Sequence, residues 1–329
     1  MGEIERLLPG TKISDWASTA IATALPTTYI FYSGYFLGGS TQANAETKTG
    51  DQLQFESETQ VSLGDVLGAA AELMGGFANS GVAGYASLGT SGSSVSDVVE
   101  KIVFPTNATS NLSSGLSSAR NTVGGMANAG VAGYFGGGQG GGGHTSTVDK
   151  WTFSNDSRST LGTGLDTAFS YVAGMANSGT AGYLGTGWGD SGYGSINKFA
   201  FSNDSRSVIN PGAWPQDRYY ACAMANSGTA GYFSGGQGGA TFSDSTMKLA
   251  FSNDGLSIIS GTLDTAKHQA SSVGNTGTAG YVAGGMDSGD WDDKIDKITF
   301  SNDAVSLLSE TLSVPREEMA SYAHESSLS

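Results

Sequence analysis

The residues of this chain best suited to hold a ligand are aromatic and acidic side chains in a set of unlike, glycine-rich loops. Trp188, Asp190 and Tyr193 lie in GTGWGDSGYGS at 185–195. Phe242 and Asp244 lie in GGQGGATFSDS at 235–245, and Asp290 and Trp291 in GGMDSGDWDDK at 284–294. Trp214 sits in Asn210-Pro211-Gly212-Ala213-Trp214-Pro215. Rings of this kind stack on the CH faces of pyranoses while carboxylates and amides take hydroxyls. Trp and Tyr equally dominate the energy of protein contacts. The bland alternative is that the rings fold back over the ends of strands. The acidic run at 287–296 lacks the spaced Asp-x-Asp-x-Asp-Gly pattern of a calcium loop, so solvation is expected there and no metal.

Catalytic chemistry finds little to use. His144, His268 and His324 are scattered without ligand spacing. There is no His-Glu-x-x-His, no cysteine pair and no Gly-Lys-Ser/Thr string. The glycine run at 136–143 has no lysine after it. No catalytic residue and no cofactor is expected. The string Phe-Ser-Asn-Asp recurs in the last four units. It could form a ring of carbohydrate or calcium sites, but Asn and Asp are good turn formers and the turn reading is preferred. Arg158 and Arg206 are expected to pair locally with Asp156 and Asp204.

These residues need a frame, and the frame is a repeat. Tyr35, Tyr85, Tyr134, Tyr183, Tyr232 and Tyr281 follow one another at 50, 49, 49, 49 and 49 residues. Phe55, Phe104, Phe153, Phe201, Phe251 and Phe300 follow in phase about 20 residues later. The unit at 117–165 reads as four short strands. The first two join at Asn128-Ala129-Gly130, where Asn and Gly are expected to supply positive φ. The last two join at Ser154-Asn155-Asp156. Trp151 and Phe153 alternate with polar residues, as in a strand with one buried face. With 51 glycines in 329 residues, helices are disfavoured.

Units of four antiparallel strands at this period point to an all-β fold, a β-propeller of four-stranded blades. The first strand of each blade is placed nearest the axis. The loops between strands two and three share one rim with the connections between blades, and such loops commonly carry recognition. Six second strands and six third strands give six blades. Residues 314–323 read as the start of a further unit, and this C-terminal strand is expected to return and close blade one, removing open sheet edges. The rival is seven blades, with 11–34 building a partial sheet. The paired glycines ending strand two, followed by an aromatic in strand three, resemble kelch repeats over about residues 22–329. The expected domains are a docking arm at 1–20 and a kelch-like propeller at 21–329.

The formal net charge of −15 disfavours nucleic acid and anionic membranes as partners. Cys222, the single cysteine, is expected to be a small buried apolar residue. The acidic start Met1-Gly2-Glu3 is no signal peptide. Pro26 and the cluster Tyr29-Ile30-Phe31-Tyr32 favour strands over a membrane span at 17–37. The repeat Ala-Asn-Ser-Gly-Thr-Ala-Gly-Tyr followed by Phe-Ser-Asn-Asp-Ser-Arg-Ser, clearest at 174–183 and 199–207, resembles kelch-like repeats in virion proteins of tailed bacteriophages. That resemblance implies a non-enzymatic structural or host-recognition component of a virion, made in the host cytoplasm and present in several copies. The arm would bind other virion proteins, and the loop rim would face a host glycan or protein. The alternative is a free soluble carbohydrate-binding lectin.

Overall fold

The computed structural model describes residues 32–325 except 191, 194 and 210–217, and for Tyr193 the backbone only. The arm at 1–20, the strands expected around Tyr29, and Trp214 lie outside the described residues. Among the described residues there is no helix, and every paired strand is antiparallel. Among these residues no helix is long and apolar enough to cross a membrane.

Four-stranded units recur six times. Sheet one runs Ala320–His324, Ser33–Leu37, Thr49–Gln54, Thr59–Asp65. Sheet two runs Gly75–Asn79, Ala83–Ser87, Val99–Val103, Ala108–Asn111. Sheet three runs Gly124–Asn128, Ala132–Gly136, Val148–Thr152, Ser157–Thr160. Sheet four runs Ala173–Asn177, Ala181–Gly185, Ile196–Ala200, Ser205–Ile209. Sheet five runs Cys222–Asn226, Ala230–Ser234, Thr241–Ala250, Gly255–His268. Sheet six runs Ser271–Asn275, Ala279–Ala283, Lys294–Thr299, Ala304–Thr311. The C-terminal strand pairs with the earliest described one, Tyr35 opposite Tyr322. Chain ends far apart in sequence are thereby stitched into one sheet.

Burial explains the strand types. Each second strand is buried along its whole length, which fits its Gly-Tyr-aliphatic composition. The third strand alternates, as Val148–Thr152 shows, while the fourth, such as Ser157–Thr160, is polar and largely exposed. First strands pack on one another in a cycle through sheets two, three, four, five, six, one and back to two. A Cβ at Gly125 would stand 2.0 Å from the Gly76 carbonyl oxygen of the neighbouring first strand, so only glycine allows that approach.

The two repeated aromatics meet between sheets, not within them. The Tyr of one sheet lies against the Phe of the next in all six pairs: Tyr35–Phe104, Tyr85–Phe153, Tyr134–Phe201, Tyr183–Phe251, Tyr232–Phe300 and Tyr281–Phe55, with centroids 5.0–5.6 Å apart. Such pairs add to the burial of their own area. Phe77, in the first strand of sheet two, plugs the space over Gly133 in sheet three, where a Cβ would be 2.0 Å from its ring.

A charged clamp surrounds each stack. Lys101 meets Asp156 at 2.7 Å, Lys150 meets Asp204 at 2.6 Å, Lys198 meets Asp254 at 2.8 Å and Lys248 meets Asp303 at 2.7 Å. Lys297 meets Glu58 and carries the series from sheet six to sheet one. Tyr85, Tyr134, Tyr232 and Tyr281 donate their hydroxyls to the same acids. At the boundary of sheets one and two the charges are absent: Gln52 stands for the lysine and donates to Tyr35 Oη, while Asn107 stands for the acid. These acids therefore do not pair with the adjacent arginines, as the local reading expected. Arg158 reaches Asp149, and Arg206 donates to the Gly164 carbonyl. The turn holds its acid at φ 53–57, aiming it at the preceding sheet.

The Asn-x-Gly turns also differ from expectation. Gly130 takes φ 75, but Asn128 does not adopt positive φ. Its side chain is used elsewhere: Asn79, Asn128, Asn177 and Asn226 each accept the Gly N–H of the next sheet's turn at 2.8–3.0 Å. One connection departs from the rest. The fourth strand of sheet five continues to His268 and pairs with Met286–Asp287.

The clamp yields a test. Asp204→Asn preserves a residue that tolerates the left-handed backbone and removes only the charge. It is expected to cost about 1 kcal/mol, and Lys150→Gln a similar amount. The double variant reproduces the uncharged boundary of sheets one and two and is expected to lose less than the two singles together. Strict additivity in urea unfolding would show that the pair does not couple the sheets.

Candidate functional site: the loop rim and the mouth it surrounds

Antiparallel pairing puts the loops between second and third strands, and the connections between sheets, at one end of every sheet. The connections are fixed by buried ion pairs. Arg120 meets Asp149 at 2.9 Å, Arg316 meets Asp51 at 2.7 Å, and Lys267 meets Asp292 at 2.6 Å and Asp296 at 3.1 Å, with all these side chains almost fully buried. Burial raises the pKa of Asp149, but the Ser117 N–H, Thr160 and Arg120 outweigh it and hold the carboxyl below its ordinary value. The acidic run at 287–296 is thus not a uniformly solvated loop. Asp292 and Asp296 are interior partners of Lys267, because an unpaired buried ammonium would be costly. Among the described residues no acidic, histidine or cysteine cluster has the arrangement of a metal site.

The predicted rim residues other than Trp214 fall in three neighbouring loops. Trp188 is 42% exposed and opens a two-residue strand paired with Tyr193. Asp190 is exposed beside His144, Phe242 packs on His268 with centroids 4.3 Å apart, and Asp244 is half-buried near Arg218. Asp290 is exposed, and Trp291 is half-buried with its indole nitrogen unpartnered inside. The six whose side chains are described, Trp188, Asp190, Phe242, Asp244, Asp290 and Trp291, do not form one constellation. Trp188 and Phe242 are instead joined by residues that periodicity did not single out. Trp188 lies 5.8 Å from Tyr219, Tyr219 4.7 Å from Tyr220, and Tyr220 5.3 Å from His268, with Tyr171 4.0 Å from Tyr220.

One group resembles a hydrolytic triad and fails as one. His144 Nδ1 is 3.0 Å from Ser170 Oγ, and its Nε2 is 3.8 Å from Asp190. Ser170 is fully buried while the Asp190 side chain is 93% exposed. A triad needs the reverse, an accessible nucleophile and a sequestered carboxylate. Burial drives the His268 pKa down to about 4, and His324 lies stacked on Phe104. The Cys222 thiol is buried and pushed up to about 11, as an inert apolar residue would be.

A mouth of about 90 Å³ lies inside the rim, where the first strands begin. Among its lining residues are Leu73, Thr122, Tyr171, Tyr220, Gln269 and Glu318. These six occupy one repeat position at intervals of 49 residues, each at φ 53–62. Glu318 accepts a hydrogen bond from Gln269. Burial first, then Glu317 and Glu72, push its carboxyl up to about 9, and burial with Glu72 pushes Glu317 to about 7. The phase of the repeat could have revealed this ring, since Leu73, Thr122, Tyr171, Tyr220 and Gln269 each stand 12 residues before a repeated Tyr and Glu318 follows Gln269 by a further 49.

The shifts carry a sign. Folding takes up protons at Glu317 and Glu318 above the ordinary glutamate range, so stability falls as pH rises from about 4.5 towards 9. Glu318→Gln is expected to stabilise the protein at pH 9 by on the order of 1 kcal/mol or more, and to change nothing at pH 4. Equal melting shifts at both pH values would refute this. No family model matches the chain, and no curated protein matches it.

Proposed function

We propose that the six sheets are the blades of a β-propeller built from kelch-like repeats and closed by the C-terminal strand. The protein is a non-enzymatic binding and structural component, and the repeat style points to a virion of a tailed bacteriophage. The observation that carries this reading is the contrast between frame and rim. The frame is repeated down to individual clamps, whereas the loops at one end differ in length, charge and aromatic content. A rigid scaffold that varies only its loops is suited to recognition. On this reading the arm at 1–20 attaches the protein to neighbouring virion proteins.

Stoichiometric mass spectrometry of particles purified from lysates of the source tests the proposal. The chain is expected in fixed copy number, lost on deletion of residues 1–20. Presence only in the soluble fraction would sink it. The exposed Trp188 beside Asp190 favours a second reading, a soluble lectin. That reading expects glycan-array binding by the free protein, weakened at least tenfold by Trp188→Ala.

A further inference from the structure

The mouth inside the rim has three properties that bear on what it can hold. First, it is two-sided. One part of its wall is the tyrosine pair Tyr171 and Tyr220, and another is Glu318, with Met74 and Met319 also lining it. Second, Glu317 and Glu72 stand near Glu318, and Glu317 Oε2 is buried without a hydrogen-bond partner although Glu317 is only 7% exposed. Third, the six mouth residues hold a left-handed backbone that costs an ordinary side chain roughly 1 kcal/mol or more and glycine almost nothing. None of the six is glycine in a chain containing 51 of them. Elsewhere the chain does use glycine for this conformation, as at Gly130 in the Asn-x-Gly turn. The conformation itself serves the backbone, since the N–H groups of Thr122, Gln269 and Glu318 donate to the Leu73, Tyr220 and Gln269 carbonyls, while the side chains are left to differ around the mouth.

We propose that the mouth is a binding site for an organic ammonium group, held between the packed rings of Tyr171 and Tyr220 and the carboxylate of Glu318. Ring faces and thioether sulfurs attract a weakly hydrated cation, and a carboxylate in a partly desolvated site completes the attraction. The cavity of about 90 Å³ opens to solvent, so a substituted ammonium head can enter it while the rest of its molecule stays outside. Every described lysine and arginine has a partner within the protein, so the net charge of −15 draws cations with little local opposition. The charged and titratable groups around Glu318 are Glu317, Glu72 and Tyr220, with Gln269 as its hydrogen-bond donor. A bound cation favours the ionised carboxylate and releases its proton, so affinity rises with pH between about 6 and 9.

Tetramethylammonium tests this, because its charge does not titrate; neopentyl alcohol is its neutral counterpart of similar shape. In the full-length protein carrying ¹³C-methyl methionine, tetramethylammonium is expected to shift the Met74 and Met319 resonances saturably at pH 9. Binding is expected to be at least about tenfold tighter than for the alcohol and about tenfold weaker at pH 6. Tyr220→Ala is expected to weaken binding about tenfold, and Glu318→Gln to remove the pH dependence. Equal response to the alcohol, shifts confined to other methionines, or a linear response without saturation would overturn the proposal. The methionine readout needs no variant, so a Tyr220→Ala protein that fails to fold does not shield it. A virion or lectin role at the outer rim stands or falls separately.

Discussion

The interaction on which the rest depends is the contact between one sheet's Tyr and Lys and the next sheet's Phe and acid. A four-stranded sheet of this composition cannot bury both faces alone. The second strand is apolar along its whole length, so each sheet needs a neighbour on either side. The ring pair supplies the buried area, and the Lys–acid pair fixes the rotation of one sheet on the next. Because the link always runs from one unit to its successor, it can be satisfied for every unit only if the last meets the first. Tyr281 with Phe55, and Lys297 with Glu58, make that final contact.

This constraint determines where variation is tolerated. The clamp lies at the turn between third and fourth strands, and the Asn-to-Gly hydrogen bonds lie at the turn between first and second. Both are at the same end of the sheets. The opposite end is tied through backbone groups instead: the N–H groups of Gly138, Gly187, Gly236 and Gly285 donate to the Phe169, Arg218, Lys267 and Arg316 carbonyls of the next connection, and pairs such as Arg120–Asp149 and Arg316–Asp51 pin the connections to their own sheets. The loops there are free to differ without loosening the ring. Chemistry at that end is therefore local to each loop, except where all six connections converge on the mouth.

The architecture was legible because its markers are bulky and in phase. Tyr134 and Phe153 announce a unit, and strand alternation follows from Trp151 and its neighbours. The partner of each marker was not legible, since it belongs to the next unit. Asp204 is two residues from Arg206 but answers Lys150, 54 positions away. Sequence proximity suggested the arginine; the left-handed turn at Asp204 points the carboxylate elsewhere. The rim residues Trp188, Phe242 and Trp291 could be named from composition. Tyr220, in the path from Trp188 to Phe242, and its neighbour Tyr171 could not, because they share their repeat position with Leu73, Thr122, Gln269 and Glu318. A position defined by backbone conformation leaves no residue-type signature.

Left-handed backbone occurs in two contrasting ways here, and the difference is informative. In the Asn-x-Gly turns it falls on Gly81, Gly130, Gly179, Gly228 and Gly277, where a Cβ would meet nothing within 4 Å. Space is not what excludes side chains from those turns; backbone cost alone accounts for glycine. At the acid turns and at the mouth the same conformation is borne by residues with side chains. For the acid turns the compensation is visible, since each charged member reaches a lysine of the preceding sheet. At the mouth the side chains converge on a cavity, and the groups they bring are aromatic on one side and acidic on the other. Duplication alone would carry the backbone conformation into every unit, but it would equally have carried one residue type. Six units that keep the strained conformation while diversifying the side chain have separated a structural requirement, the geometry of the connection, from a chemical one, the composition of the mouth.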